Sequence, residues 1–323
     1  MKRRTFAEAA ALSALLPLLA RGQGTYPERP VRLVVGFAPG GSADITARLF
    51  ADKLGAEWRQ PMVVDNRAGA GGNIGAEQVA RATPDGYTLL LASAAQIVIN
   101  PFMYRGLRFD PLKDLMPVSL LQVEPNAMVV NPSVPARDLR EFIAWAKVQG
   151  DKVSFASPGV GTPAHLAGEW MNQMAGLKMV HVPYKGTGPA ISDLVGGAVT
   201  VAIDNMPAYL PHIKSGKLRA LGVTSERRAK VLPELPTLDE SGLPGYVVTA
   251  WKGLMAPPGT PLAIIERLQA SVSKVLAQTD LPKRMLEGGA EAVGSSPKQF
   301  ADFIRTEALK WSALVKATGA SAE

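Results

Sequence analysis

The sequence predicts an α/β protein of two domains, and three observations carry that prediction. The chain has 323 residues, more than one typical domain and enough for two with a full core. Short apolar runs that read as strands alternate with helical patterns, the arrangement of parallel sheets. Three of those strands end in turns rich in glycine and small hydroxyl residues, at 37–44, 157–165 and 184–190, and each turn leads directly into a helix.

The fold begins after a leader. Lys2, Arg3 and Arg4 form a positive start, and Ala9 to Ala20 is an apolar run of about a dozen residues, long enough for a signal peptide and too short to span a bilayer. Ala20-Arg21-Gly22 supplies small residues for cleavage before Gln23, so residues 1–22 are expected to be removed on export. Arg3-Arg4 ahead of Thr5-Phe6 also fits a twin-arginine signal, the alternative export route.

Val31 to Phe37 is a β-branched apolar run and reads as a buried strand. Pro39, Gly40 and Gly41 break it, and from Asp44 the apolar residues Ile45, Leu49 and Leu54 recur at helical spacing. Met62 to Val64 is a short strand, followed by a glycine turn at 68–75 and a helix from Ala76 to Ala82. That second turn invites a dinucleotide reading, but Ile74 stands where the third glycine of G-x-G-x-x-G belongs, which argues against it. Further strands are expected over Tyr87 to Ala92, Pro117 to Val123 and Ala127 to Val130, with Glu124-Pro125-Asn126 as the passage between domains. A short helix fits Ile97 to Phe102.

Beyond it, a helix runs from Arg137 to about Val148 and a strand from Val153 to Ala156. Thr162 and Pro163 suit the cap and first position of a helix ending at Ala175. A strand over Met179 to Val182 precedes a helix with Pro189 at its first position. Strands follow over Val199 to Ile203, Lys217 to Thr224 and Val247 to Ala256, and a long helix from Pro261 through Ala277. Two more helices, split near Gly288-Gly289 and Ser295-Ser296-Pro297, complete the chain. The expected domains are residues 23–123 with 226–323, and 124–225.

Composition and motifs narrow the function. The net charge is +7, of which the leader carries +3 through four basic residues and Glu8, leaving +4. The basic residues are scattered and aromatics are 6%, so nucleic acid is not an expected partner. There is no cysteine, hence no disulfide, thiolate metal site or cysteine nucleophile. His165, His181 and His212 show no metal-ligand spacing, and no metal or other cofactor is expected. His181 reads as a packed, hydrogen-bonded strand residue. Neither Ser93 nor Ser157 sits in a nucleophile elbow, and no phosphate-binding P-loop exists. What remains are the three turns. Ligands of doubly wound sheets sit at the carboxyl ends of strands. If two domains face each other, backbone amides from both walls can converge on a small anion, which describes a binding protein more naturally than an enzyme.

At this point the residues resemble a known family. Val34-Val35-Gly36-Phe37-Ala38-Pro39-Gly40-Gly41-Ser42-Ala43-Asp44, Val64-Asp65-Asn66-Arg67, Pro84-Asp85-Gly86-Tyr87, Ser157-Pro158-Gly159-Val160-Gly161-Thr162, Val182-Pro183-Tyr184-Lys185-Gly186 and Leu254-Met255-Ala256-Pro257-Pro258-Gly259-Thr260-Pro261 are similar to stretches of the tripartite tricarboxylate transporter substrate-binding proteins, the Bug or TctC-like periplasmic receptors. The resemblance implies a two-domain, type II-like periplasmic-binding-protein (Venus-flytrap) fold with the ligand between the domains. It implies a small organic carboxylate as ligand, membrane permease subunits as partners, a monomer, the periplasm as location and no catalysis. The site residues it implies are Phe37, Ala38, Gly41, Ser42 and Asp44 on one wall, with Ser93 beside them. Opposite stand Ser157, Gly161, Thr162, His165, Tyr184 and Asp204, the last expected to read the far end of the ligand. The alternatives are a receptor reporting to a membrane sensor kinase and an exported α/β hydrolase.

Overall fold

The computed structural model describes residues 26–322, and the expected signal peptide at 1–22 lies outside them. Val31–Val35 forms β1, buried along almost its whole length, as its β-branched composition requires. It pairs in parallel with β2 (Met62–Asn66) and β3 (Thr88–Ser93). Helix α1 (Ser42–Trp58) follows the first glycine turn and α2 (Asn73–Ala80) the second. The second helix starts three residues before its expected position, directly on the glycines. A π turn over Ala95–Ile99 runs into the short α3 (Asn100–Met103), in place of the single helix expected there.

The sheet turns on β4 (Met116–Val130), one strand of 15 residues where two are expected. Pro125 suggests a break because it has no N–H to give. It is tolerated because β4 changes partners there: residues up to Pro125 pair with β9 (Thr249–Ala256), and those from Asn126 pair with β7 (Val201–Asn205). The second half of β4 also pairs with β8 (Arg219–Val223).

The other half repeats the βα pattern. Helix α4 (Leu139–Gln149), capped by Asp138, precedes β5 (Ser154–Ser157). Then come α5 (Pro163–Ala175), β6 (Val180–Pro183), α6 (Thr187–Val195) and, after β7, α7 (Met206–Lys214). Thr162 Oγ1 accepts from His165 N at 3.3 Å and Pro163 holds the first helical position, as the sequence indicates. Helix α6 begins two residues before Pro189, which therefore sits at its third position.

The strand order is β2-β1-β3-β9-β4-β7-β5-β6. It is mixed rather than wholly parallel: the two parallel trios, β2-β1-β3 and β7-β5-β6, are joined by the antiparallel β9 and β4. The chain closes with α8 (Leu262–Gln278), α9 (Leu281–Glu287), an unforeseen two-residue strand β10 (Glu291–Ala292) against β4, and α10 (Pro297–Thr318). The fully buried Trp251 and Trp311 both donate their indole N–H to Glu307 Oε2, at 3.1 and 2.9 Å, which satisfies them and ties α10 to β9. Among the described residues, no helix is long and apolar enough to cross a membrane.

Candidate functional site

The two parallel trios end their strands toward each other, and a narrow cavity lies between them. Its volume is about 30 Å³, room for about two waters. A wider hollow of about 440 Å³ opens by Glu124 and Arg227, but much of its lining is exposed and charged. The narrow cavity is where buried polar groups converge.

Its walls touch. Ala38 N donates to Lys185 O at 3.0 Å, from the first turn to the turn opposite, and Tyr104 Oη donates to Val160 O at 3.1 Å. Glycine makes the approach possible: a Cβ on Gly188 would stand 2.6 Å from Pro39 O, and one on Gly41 3.1 Å from Thr187 Cβ.

Four helices begin at this cavity. Ser42 and Ala43 start α1, Thr162 and Pro163 start α5, Thr187 starts α6, and Asn205 precedes α7; all line it. The first N–H groups of a helix lack intrahelical acceptors and carry its positive dipole end, so four such ends make an anion-attracting hollow. Phe37 and Trp251 add apolar wall, and Lys252 is the only charged side chain in the lining among the described residues.

Lys252 is almost wholly buried and lies 2.5 Å from Glu124 Oε1. Glu124 is equally buried and also accepts from Ser42 Oγ, at 2.8 Å to both oxygens, and from Gln122 Nε2 at 2.7 Å. Across the cavity Thr187 Oγ1 donates to Asp204 Oδ2 at 2.8 Å, and Asp204 Oδ1 accepts from Asn205 N at 2.8 Å. Burial pushes the Asp204 carboxyl up to about 6, against the pull of those hydrogen bonds and of the Lys252 charge.

Of the residues expected at the site, Phe37, Gly41, Ser42, Ser93 and Thr162 line the cavity together. The others are not in its lining. Ala38 bridges the walls through its N–H. Asp44 Oδ2 accepts from Gly40 N and Arg48 Nε, so it braces the first turn; burial raises its pKa, and these bonds outweigh that and hold it below the usual value. Burial, helped by the hydrogen bond that Tyr184 donates to Asp193 Oδ2 at 2.7 Å, pushes the Tyr184 phenol up to about 12. Asp204 stands one residue behind the surface and acts on the cavity through Thr187. Gly161, Ser157 and His165 belong to a cluster behind the second turn.

In that cluster Ser157 Oγ lies 2.6 Å from His181 Nε2, and the His181 ring is stacked between His165, 4.0 Å away, and Phe155, 4.8 Å away. The packed, hydrogen-bonded strand position expected for His181 is what the fold gives. Burial lowers His165 to about 4, and burial with the neighbouring His165 lowers His181 to about 3, so both rings are neutral at pH 7. Ser157 and His181 resemble a nucleophile and its base, but Ser157 is sealed from the cavity and bonds Gly159 O. His165, Glu169 and His181 bring ligand-capable atoms within 4.8 Å of one another, a grouping that sequence spacing does not reveal. Two of those nitrogens are already engaged, His165 Nδ1 by Gly161 N and His181 Nε2 by Ser157.

Sequence reasoning overlooked Thr187, Asn205, Trp251, Lys252 and the carboxylate of Glu124. A signal was present: Lys252 and Glu124 are single charges, opposite in sign, inside otherwise apolar strands, where an unpaired charge is rarely tolerated.

A family model described as "Tripartite tricarboxylate transporter family receptor" matches residues 46–320. The chain belongs to this family. It is 40% identical over 297 residues to Protein BugT of Bordetella pertussis, covering 92% of this chain and 91% of that one. It is similar to the structure of R. palustris Rpa4515 with adipate, at 35% identity and a TM-score of 0.90, over 92% of this chain and 99% of that one. It is also similar to MatC (Rpa3494) from Rhodopseudomonas palustris with bound malate, at 34% identity and 0.86, over 90% and 100%. Receptor membership and these likenesses establish the two-domain periplasmic-binding-protein fold.

Proposed function

We propose that this receptor captures a small mono- or dicarboxylate in the periplasm, between its two domains, and delivers it to the membrane subunits of a tripartite tricarboxylate-type transporter. The convergence of four helix N-termini on one buried cavity carries the reading, because that arrangement stabilises an anion through backbone N–H groups, while the Lys252 ammonium in the lining is already paired with Glu124. The acids named with the neighbouring structures, adipate and malate, support the ligand class. The domain boundaries proposed are 23–123 with 226–323, and 124–225, supported by the change of partners along β4 at Pro125. The chain acts as a monomer and is exported by cleavage after residue 22.

A carboxylate of several carbons is larger than two waters, so the walls part to admit it and shut around it. No catalytic step is assigned to the site. The test is mass spectrometry of small molecules released from the purified protein, followed by thermal-shift screening of carboxylates. A ligand at a hundred times its dissociation constant adds about 2.7 kcal/mol, a readily measured rise. The absence of stabilisation by every carboxylate at millimolar concentration overturns the reading.

A further inference from the structure

The hydroxyls that line the cavity share a polarity. Ser42 Oγ donates to Glu124, a carboxylate held by Lys252. Thr187 Oγ1 donates to Asp204 Oδ2. Ser93 Oγ donates to Gln96 Oε1 at 2.6 Å; that atom is fixed as the amide oxygen because Ser93 N–H donates to it as well. Thr162 Oγ1 donates to Gly159 O at 2.7 Å, and accepts from His165 N. A hydroxyl has one proton. Each of the four gives it to an acceptor inside the protein, so only lone pairs remain for a ligand. The donors in the lining are of another kind: backbone N–H groups of the helix ends, the Lys252 ammonium and the Asn205 side-chain amide.

Resting on the carboxylate reading above, we infer that the solute also carries a hydrogen-bond donor, a hydroxyl or an ammonium, on the chain that bears its carboxylate. The carboxylate takes the backbone N–H groups. The donor takes the lone pairs of Ser42 and Thr187, which line the same cavity from opposite walls, where a Cβ on Gly41, next to Ser42, would stand 3.1 Å from Thr187 Cβ. Each of these hydroxyls is backed by a buried carboxylate, which enriches its lone pairs and favours a donor group with positive character. An unsubstituted acid of the same length displaces the waters and leaves those lone pairs bare, and an unpaired buried acceptor is penalised.

The experiment is calorimetric titration of the purified receptor with two matched sets: succinate, malate and aspartate, then butyrate, 3-hydroxybutyrate and 3-aminobutyrate. In whichever set binds, the donor-bearing acids are expected to bind roughly tenfold tighter or more than the plain acid, and the hydroxyl and amino members separate the two donor types. Thr187→Val, which keeps shape and removes the lone pairs, is expected to shrink that ratio several-fold through loss of the donor-bearing ligand alone. Equal or tighter binding of the plain acid, or a ratio unmoved by Thr187→Val, overturns the inference while leaving the carboxylate reading intact. No binding by any of the six acids, nor by any carboxylate of the thermal-shift screen, overturns both.

Discussion

Ser42 and Thr187 each turn a hydroxyl onto a buried carboxylate, but the two carboxylates are held differently. Glu124, behind Ser42, has the Lys252 ammonium 2.5 Å away. Asp204, behind Thr187, is hydrogen-bonded among the described residues by a hydroxyl, a backbone N–H and the more distant Tyr209 hydroxyl at 3.5 Å, and feels the Lys252 charge without direct contact. One side of the cleft is therefore a neutralised ion pair and the other a lone acid with its pKa raised to about 6. Burial of a charge is tolerated in two ways, by a partner or by neutralisation at accessible pH, and this site uses one on each side.

The sharpest way to break that contrast is Lys252→Met. It leaves Glu124 buried and unpaired, and is expected to lower unfolding stability by about 3–5 kcal/mol in urea titration. Adding Glu124→Gln should recover more than half of the loss. Wild-type stability in the single variant would remove the ion pair as the distinguishing feature.

Asp204→Asn probes the other side through pH. The acid's folded pKa of about 6 lies above an unfolded value of about 3.9, so the native state holds its proton more tightly. Stability relative to Asp204→Asn is then greatest below pH 4, falls as pH rises from 4 to 6, and levels off above that, over a span of roughly 3 kcal/mol. Parallel melting-temperature curves for the two proteins across pH 4–7 would refute the lone-acid assignment.

Gly188→Ala tests whether both sides must meet. Its Cβ would lie 2.6 Å from Pro39 O in the shut cleft. Ligand affinity is expected to drop roughly tenfold or more, a penalty of about 1.4 kcal/mol on closure, and small-angle scattering with ligand present should stay at the expanded dimension. Unchanged affinity would mean that the ligand does not require this closure. The smallest effect is expected from Tyr104→Phe, which removes one hydrogen bond across the cleft. A loss of about 1 kcal/mol, near fivefold in affinity by calorimetry, fits one neutral bond.

Much of this was legible in the chain. The three glycine turns, Thr162 with Pro163, and the strand runs place most elements because those signals are local: a cap needs its residue three positions on, a strand its own alternation. Five site candidates, Phe37, Gly41, Ser42, Ser93 and Thr162, meet at the cavity for the same reason, since each ends a strand or starts a helix there. The unforeseen features are long-range. Pro125 reads as a break in isolation and is harmless only because β4 exchanges β9 for β7 at that residue. His165 and His181 look unrelated along the chain and stack only because β5 and β6 pair beside α5.

By itself, then, the sequence determined the α/β alternation, the turns that expose helix N-termini, and membership of a receptor family. Those follow from short-range chemistry, which a linear pattern records. The tertiary structure alone decided that Lys252 pairs with Glu124, that Asp204 acts through Thr187, and that the cavity hydroxyls face it with lone pairs. Such features depend on which groups share a buried volume, where each charge and proton must find a partner, and no spacing along the chain encodes that volume.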